Sequence, residues 1–174
     1  MKLKCNITKQ GDIEKLIKEL EDYKEGLLRR RDIFIERLLD VGIRTAKDST
    51  GEYAGMIRFE KEIEDGIGLL IATDGQKLIR EWKFKGGVKR AEVSPLLMAE
   101  FGSGWLAKVL DDVEGVGQGT FPGQTHAFSP HGWWWTTLDG EHHHSIGESP
   151  TFPMHSASMA MIFEIDSIAK KVFR

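Results

Sequence analysis

The first part of the chain has apolar residues at steps of three and four, the spacing of one face of an α-helix. These residues are Ile13, Leu16, Ile17, Leu20, Tyr23, Leu27, Leu28, Phe34, Ile35, Leu38 and Leu39. Asp12 is positioned to accept hydrogen bonds from the first backbone N–H groups, and the pattern ends near Lys47. Gly26 lies inside the pattern and favours a kink or a break into two helices. We therefore expect a long, half-apolar N-terminal helix, a common means of making subunit contacts.

After the turn residues at 48–51 the pattern changes from helical spacing to alternation. Alternating apolar and polar residues predict strands over 56–63, 67–73 and 79–85. The links between them contain Asp65-Gly66 and Asp74-Gly75, dipeptides that hairpin turns prefer. Together these features predict a three-stranded antiparallel meander.

The stretch SPLLMAEFGSGW, residues 94–105, combines several ordered signals. Ser94 is a typical N-cap and Pro95 a typical first helical residue. Apolar residues surround the carboxylate of Glu100, and Gly102 and Gly104 follow. Because glycine adopts backbone angles that other residues avoid, we expect one or two helical turns that stop at these glycines.

The last third of the chain predicts a loop, a hairpin and a helix. Residues 106–132 are rich in Gly, Gln, Thr and Pro and have no period, so they predict a long loop. Strands are expected at 133–137 and 142–146, and the three consecutive tryptophans must point to both faces of the first of them. At least one indole is therefore expected under a loop or at an interface. A final amphipathic helix carries Met154, Ala157, Met161, Ile165, Ile168, Ala169 and Val172 on one face.

Composition limits the protein class. The chain has 174 residues, enough for a single domain over 1–174, with 1–10 as a tail or edge strand. Hydrophobic residues make up 40%, and the net charge of -3 gives no general attraction to nucleic acid. The lone Cys5 excludes an internal disulfide, and no apolar run approaches the roughly 20 residues that a membrane helix needs. We expect synthesis in a cytoplasm.

Two groups of residues suggest other chemistry. His142 and His144 share one face of a strand and could both bind a metal ion, although no third ligand has a recognisable spacing. Arg29, Arg30 and Arg31 could bind nucleic acid, although such a run is usually a solvated helix face. A histidine-dependent metal-binding enzyme and a basic-helix nucleic-acid module therefore stay open as alternatives.

The order of motifs resembles the tail-completion, neck or head-tail joining family of long-tailed bacteriophages, the gene-product-ten-like tail components. That family has a Glu-Phe-Gly-Thr-Gly element, then a tryptophan-bearing strand, then a Pro-x-Met-like helix start. The corresponding residues in this chain are Glu100, Phe101, Gly102, Ser103, Gly104, Trp133, Trp134, Trp135, Pro153 and Met154. The resemblance covers most of the chain after residue 10, and it departs at Ser103, the triple tryptophan, the histidine run and the long loop.

The resemblance implies an α+β fold with a long N-terminal helix, a meander, a tryptophan hairpin and a C-terminal amphipathic helix. It implies a structural virion protein, not an enzyme, with no cofactor, located in the neck or tail. Its partners would be copies of itself in a ring, head-closure or adaptor proteins, and tail terminator and tail-tube proteins. Contact with packaged DNA would be incidental and contact with membranes absent. The turn from Glu100 to Gly104, which Trp105 follows, would fix the backbone under the long loop. The loop, the tryptophan strand and the polar face of the long helix would then meet neighbouring subunits.

Overall fold

The computed structural model describes residues 10–84, 86–107 and 129–174. Residues 1–9 of the predicted tail, Cys5 among them, and most of the predicted long loop lie outside these ranges, whereas Gln10 belongs to the first helix and not to a tail. The described elements, in chain order, are α1 Gln10–Asp48, a 3-10 turn Gly51–Tyr53, β1 Ile57–Glu64, β2 Ile67–Asp74, β3 Leu78–Phe84, β4 Gly87–Val93, α2 Pro95–Phe101, β5 Ser103–Gly104, β6 Trp133–Thr136, β7 His142–Ser145, β8 Gly147–Glu148 and α3 Pro153–Val172. The predicted α+β class is confirmed.

Helix α1 is one uninterrupted helix of 39 residues. The break considered at Gly26 does not occur, because the apolar stripe continues on the same face before and after it and outweighs one glycine. Asp12 lies within the first turn of α1, so the prediction that it precedes the helix as the N-cap is wrong. An acidic residue is still favourable there, next to the positive end of the helix dipole.

The strands form antiparallel hairpins in separate sheets. β1 pairs with β2 from Ile57↔Asp74 to Glu64↔Ile67. A second sheet has the strand order β4-β3-β6-β7, and the short strands β5 and β8 form a third pair. In the described part of the chain β2 does not pair with β3, so the predicted three-stranded meander is corrected to two successive hairpins. The Gly75 N–H instead donates to the Met56 carbonyl at 2.8 Å, which directs the chain across the start of β1.

The two long helices pack against each other in opposite directions. The absent side chain of Gly42 leaves room for Met161, because a Cβ there would lie 2.8 Å from the Met161 sulfur. One end of α3 lies beside an earlier part of α1, where the Phe34 and Phe173 ring centroids are 5.8 Å apart. α3 therefore covers only the C-terminal portion of α1.

The core lies between the end of α1, the first hairpin, α2 and α3. Its buried members are Ala46, Tyr53, Ile57, Phe59, Val93, Met98, Ala99 and Ala157. The Lys61 ammonium on β1 contacts the carboxylates of Asp40 at 2.7 Å and Glu36 at 3.1 Å, which joins the hairpin to α1. These two acceptors raise the pKa of Lys61. Within the described ranges no helix is both long and apolar enough to cross a membrane.

Candidate functional site

The predicted start of α2 is confirmed in detail. The Ser94 hydroxyl oxygen accepts a hydrogen bond from the Leu97 N–H at 3.1 Å, and Pro95 is the first helical residue. The Asp74 carboxylate accepts from the Ser94 hydroxyl at 2.9 Å and from the Leu96 N–H at 3.0 Å. Two acceptors thus satisfy the free donors of the first turn and connect α2 to the end of β2.

Glu100, at the other end of α2, caps a different helix. Its two carboxylate oxygens accept hydrogen bonds from the Met154 N–H at 2.7 Å and the His155 N–H at 3.1 Å. The residue before α3, Phe152, is left-handed with φ 55° and its side chain makes no cap hydrogen bond. The half-buried Glu100 therefore supplies both the missing acceptors and a negative charge at the positive end of the helix dipole.

The two glycines after Glu100 are required by both backbone angle and space. Gly102 has φ 70° and Gly104 has φ 60°, values that L side chains rarely adopt. A Cβ at Gly102 would lie 2.3 Å from the Glu148 carbonyl oxygen, and one at Gly104 would lie 2.8 Å from the Ile146 carbonyl oxygen. The backbone around β8 thus lies too close to β5 for a side chain at either Gly102 or Gly104.

Ser103 lies between these glycines and is buried. It pairs with Glu148, whose backbone N–H also donates to the Ser103 hydroxyl oxygen at 3.2 Å. A threonine hydroxyl, usual at this place in the phage family, has the same oxygen available for this bond. The departure at Ser103 therefore leaves the local hydrogen bond intact.

The Pro-Met helix start is joined directly to the same corner. The N–H groups of Thr151 and Phe152 both donate to the Ala99 carbonyl, at 2.7 and 3.0 Å. Pro153 is fully buried at the first position of α3, and Met154 packs against the core. Two motifs separated by about fifty residues in the sequence are thus held together by backbone hydrogen bonds.

Two tryptophans complete this corner. The Trp105 N–H donates to the Ile146 carbonyl at 2.9 Å, while its side chain is largely exposed. Trp133 is half-buried and packs over Gly104, because a Cβ on that glycine would lie 2.8 Å from the Trp133 ring. We use the name "glycine corner" for Glu100–Trp105 with Trp133, Gly147–Glu148 and Thr151–His155. Phe101, the last residue of α2, is half-buried.

The tryptophan strand projects side chains to both faces, as predicted. Trp134 is 72% exposed, and its ring centroid lies 4.6 Å from that of His144 on the neighbouring strand. Trp135 points to the opposite face and stacks on His143, with 5.2 Å between centroids and 22° between planes. The exposed indole of Trp134 is the kind of group found at protein interfaces.

The histidines already have partners of other kinds. His142 and His144 lie on one face, as predicted, but the His142 Nδ1 atom is 3.1 Å from the Thr136 hydroxyl. The His144 Nε2 atom is 2.7 Å from the His131 carbonyl oxygen. Among described residues no group of three or more His, Cys, Asp or Glu could hold a metal ion.

A pair that the sequence analysis missed, the buried Tyr53 and the half-buried Glu148, lies beside the corner. The Tyr53 hydroxyl donates a hydrogen bond to the Glu148 carboxylate. Burial, together with this carboxylate, raises the pKa of Tyr53 far above its ordinary value. The partners are 95 residues apart and no local pattern marks either, so the pair could not be found from spacing.

The arginine run lies on α1 near acidic neighbours. Arg29 is 3.8 Å from the Glu25 carboxylate, one helical turn earlier, and Arg31 is 2.8 Å from Asp32. These side chains are substantially exposed, so the pairs add little stability. This arrangement is the one expected for a solvated helix face.

A depression beside the first hairpin has a volume of about 530 Å³ and is open to solvent. Its wall includes Lys47, Arg58 and Gly75, and the described lining has no carboxylate, histidine or cysteine.

Large apolar side chains are instead exposed over several separate surfaces. On the outer face of the first hairpin Ile67 is 65% exposed and Leu69 lies beside it. On the outer face of α3 Phe163 is 75% exposed next to Ile162. Contiguous apolar surface of this kind usually marks a site of protein contact.

No family model, no curated protein and no solved structure matches this chain. Its functional assignment therefore depends on the motifs themselves and on the contacts described above.

Proposed function

We propose that this chain is a structural virion protein of a tailed bacteriophage, a tail-completion or neck component that joins the head connector to the tail tube. The observation that carries the proposal is the glycine corner. Each of the three motif blocks of the phage resemblance contributes to it: Glu100 binds the start of α3 at Met154 and His155, and Trp133, the first of the three tryptophans, covers Gly104. The three blocks are far apart in the sequence but in contact in the fold, so they form one structural unit.

The exposed surfaces support the same function. Trp134, Phe163 and Ile67 lie on three different elements, and each is at least 65% exposed. A protein that fills a joint must contact copies of itself and different proteins above and below, so it needs several separate contact surfaces. The groups of the corner, by contrast, are occupied by internal hydrogen bonds, which suits a scaffold.

The test is made in the phage or prophage that encodes the chain. Deletion of its coding sequence is expected to give DNA-filled heads and complete tails that remain separate in electron micrographs. Adding the purified chain to a mixture of these parts is expected to restore infectious particles. An antibody label should lie at the vertex between head and tail.

Two results would reject this function. One is a purified infectious particle in which mass spectrometry finds no copy of the chain. The other is a deletion mutant that yields normal numbers of joined particles. A chain found in the particle but at the distal tail tip would also contradict the neck position.

A further inference from the structure

The first part of α1 extends beyond the rest of the described protein. The Arg31 guanidinium lies against Gly66 of the first hairpin turn. Before it, from residue 11 to residue 30, no side chain is buried. We call residues 11–31 the arm; at 1.5 Å per residue it is about 30 Å long.

The arm carries an apolar stripe that the described residues leave unburied. Its members are Ile13, Leu16, Ile17, Leu20, Tyr23, Leu27 and Leu28, and all but Leu16 are between 37% and 51% exposed. The same face continues into Phe34 and Ile35, which pack against α3 and β2. The arm is thus an extension of a packing surface whose covering elements end near residue 31.

The stripe has the seven-residue spacing of a coiled coil. Ile13, Leu20 and Leu27 are seven residues apart, and Leu16 and Tyr23 fall three residues after the first two. Seven residues after Tyr23 the sequence has Arg30 in place of an apolar residue, so the apolar seam ends there. Three heptads of this kind suit pairing with one other helix.

The charges of the arm select the partner and its direction. Residues 12–22 have five acidic residues and two lysines, a net charge of -3. Residues 23–31 have four basic residues and one glutamate, a net charge of +3. A second arm running in the opposite direction would place each acidic half against a basic half, whereas a parallel arm would place like charges together.

We propose that the arms of two copies of this chain form an antiparallel coiled coil. Its two-fold axis passes between Glu21 and Asp22, so that Leu20 of one copy contacts Tyr23 of the other. Leu16 then contacts Leu27, and Ile13 covers the aliphatic part of Arg30. The inference is independent of the virion function, because it concerns the purified chain alone.

The first test measures self-association of the full chain by sedimentation velocity. Leu20→Asp combined with Leu27→Asp should raise the dimer dissociation constant at least 100-fold. Ile33→Asp, an exposed aliphatic on the opposite side of α1, is the matched control and should leave the constant within about 2-fold. Circular dichroism checks that each variant is folded. A wild-type chain that stays monomeric at 100 µM, or an arm variant that associates like wild type, would overturn the proposal.

The second test measures direction. Two variants, Leu16→Cys and Leu27→Cys, are prepared with Cys5→Ser, mixed and oxidised with glutathione disulfide. Antiparallel arms should give mainly the mixed disulfide, because positions 16 and 27 face each other and equal positions are about 16 Å apart along the axis. Disulfides mainly between identical variants would show a parallel pair and refute the proposed direction.

Charge reversal gives a third readout. Lys24→Glu with Arg29→Glu should weaken the wild-type dimer at least 10-fold. Adding Glu19→Lys with Glu14→Lys, at the positions that face 24 and 29 across the two-fold axis, should restore it. Failure of this rescue would mean that the charged halves do not face each other.

Discussion

Replacing Glu100 by alanine tests the role of the glycine corner most directly. The substitution removes the two acceptors of the Met154 and His155 N–H groups, and α3 has no side-chain cap of its own to replace them. It also removes a negative charge beside the positive end of a 20-residue helix. We therefore expect destabilisation of the whole fold, because α3 supplies Ala157 to the core.

The magnitude follows from these two losses. A lost N-cap acceptor typically costs about 1 kcal/mol, and a partly buried charge at a helix end contributes about 1 kcal/mol more. Glu100→Ala should therefore lower the free energy of unfolding by about 2 kcal/mol. For a chain of this size that corresponds to a decrease in Tm of about 4–8 °C. Glu100→Gln keeps one acceptor oxygen and should cost about 1 kcal/mol.

The assay is urea unfolding followed by circular dichroism, with differential scanning calorimetry for Tm. Glu164→Ala is the matched control, because Glu164 is an exposed glutamate within α3. It should change stability by less than about 0.5 kcal/mol. If Glu100→Ala costs no more than Glu164→Ala, the carboxylate does not cap α3 and the structural account of the corner is wrong.

Three further predictions concern single residues. Gly102→Ala should lower the free energy of unfolding by about 3 kcal/mol, because the residue has a positive φ and the new Cβ would collide with the Glu148 carbonyl oxygen. Gly26→Ala, with open space around the helical glycine, should raise it by up to about 1 kcal/mol. Equal effects of the two substitutions in urea unfolding would contradict the geometry. Because the pKa of Tyr53 is raised in the fold, the unfolded chain alone loses this proton above about pH 10, so stability should fall by about 1.4 kcal/mol per pH unit there. Tyr53→Phe should reduce that slope in urea titrations at pH 9 to 11, where Lys61, whose pKa is also raised, supplies part of the remainder. An unchanged slope would show that Tyr53 does not cause it. Trp134→Ala should change the free energy of unfolding by less than about 0.5 kcal/mol yet lower the yield of joined particles. Trp133→Ala should lower the free energy of unfolding by about 2 kcal/mol, because this indole packs over Gly104. A normal yield of joined particles from Trp134→Ala would show that Trp134 is not at the interface.

Local patterns predicted the elements whose cause is local. Helices α1 and α3 follow from three- and four-residue apolar spacing, and the first hairpin follows from the Asp65-Gly66 turn. The start of α2 was predicted because serine and proline act within one helical turn. In each case the interacting groups are only a few residues apart.

The errors arise where distant contacts decide the structure. The Asp74-Gly75 dipeptide resembles a hairpin turn, but Asp74 accepts hydrogen bonds from the start of α2 and Gly75 bonds to Met56. Likewise, Glu100 was singled out by its apolar surroundings, but its binding to α3 spans 54 residues of sequence. The periodicity of apolar residues does not report contacts between residues that are distant in the sequence, so these contacts could be identified only from the structure.

The contrast between the corner and the exposed surfaces gives a way to separate folding from assembly. Ser103 and Pro153 are buried and the Glu100 carboxylate is occupied by internal hydrogen bonds, so substitutions there must lower stability before they can affect any contact with a partner. Trp134 and Phe163 are mostly in solvent, so their substitution removes contact area without leaving an internal cavity. If particle joining falls only in proportion to lost stability across these variants, the protein acts as a passive spacer with no specific contact surface. Loss of joining by Trp134→Ala or Phe163→Ala at unchanged stability would instead identify the surfaces through which it binds its neighbours.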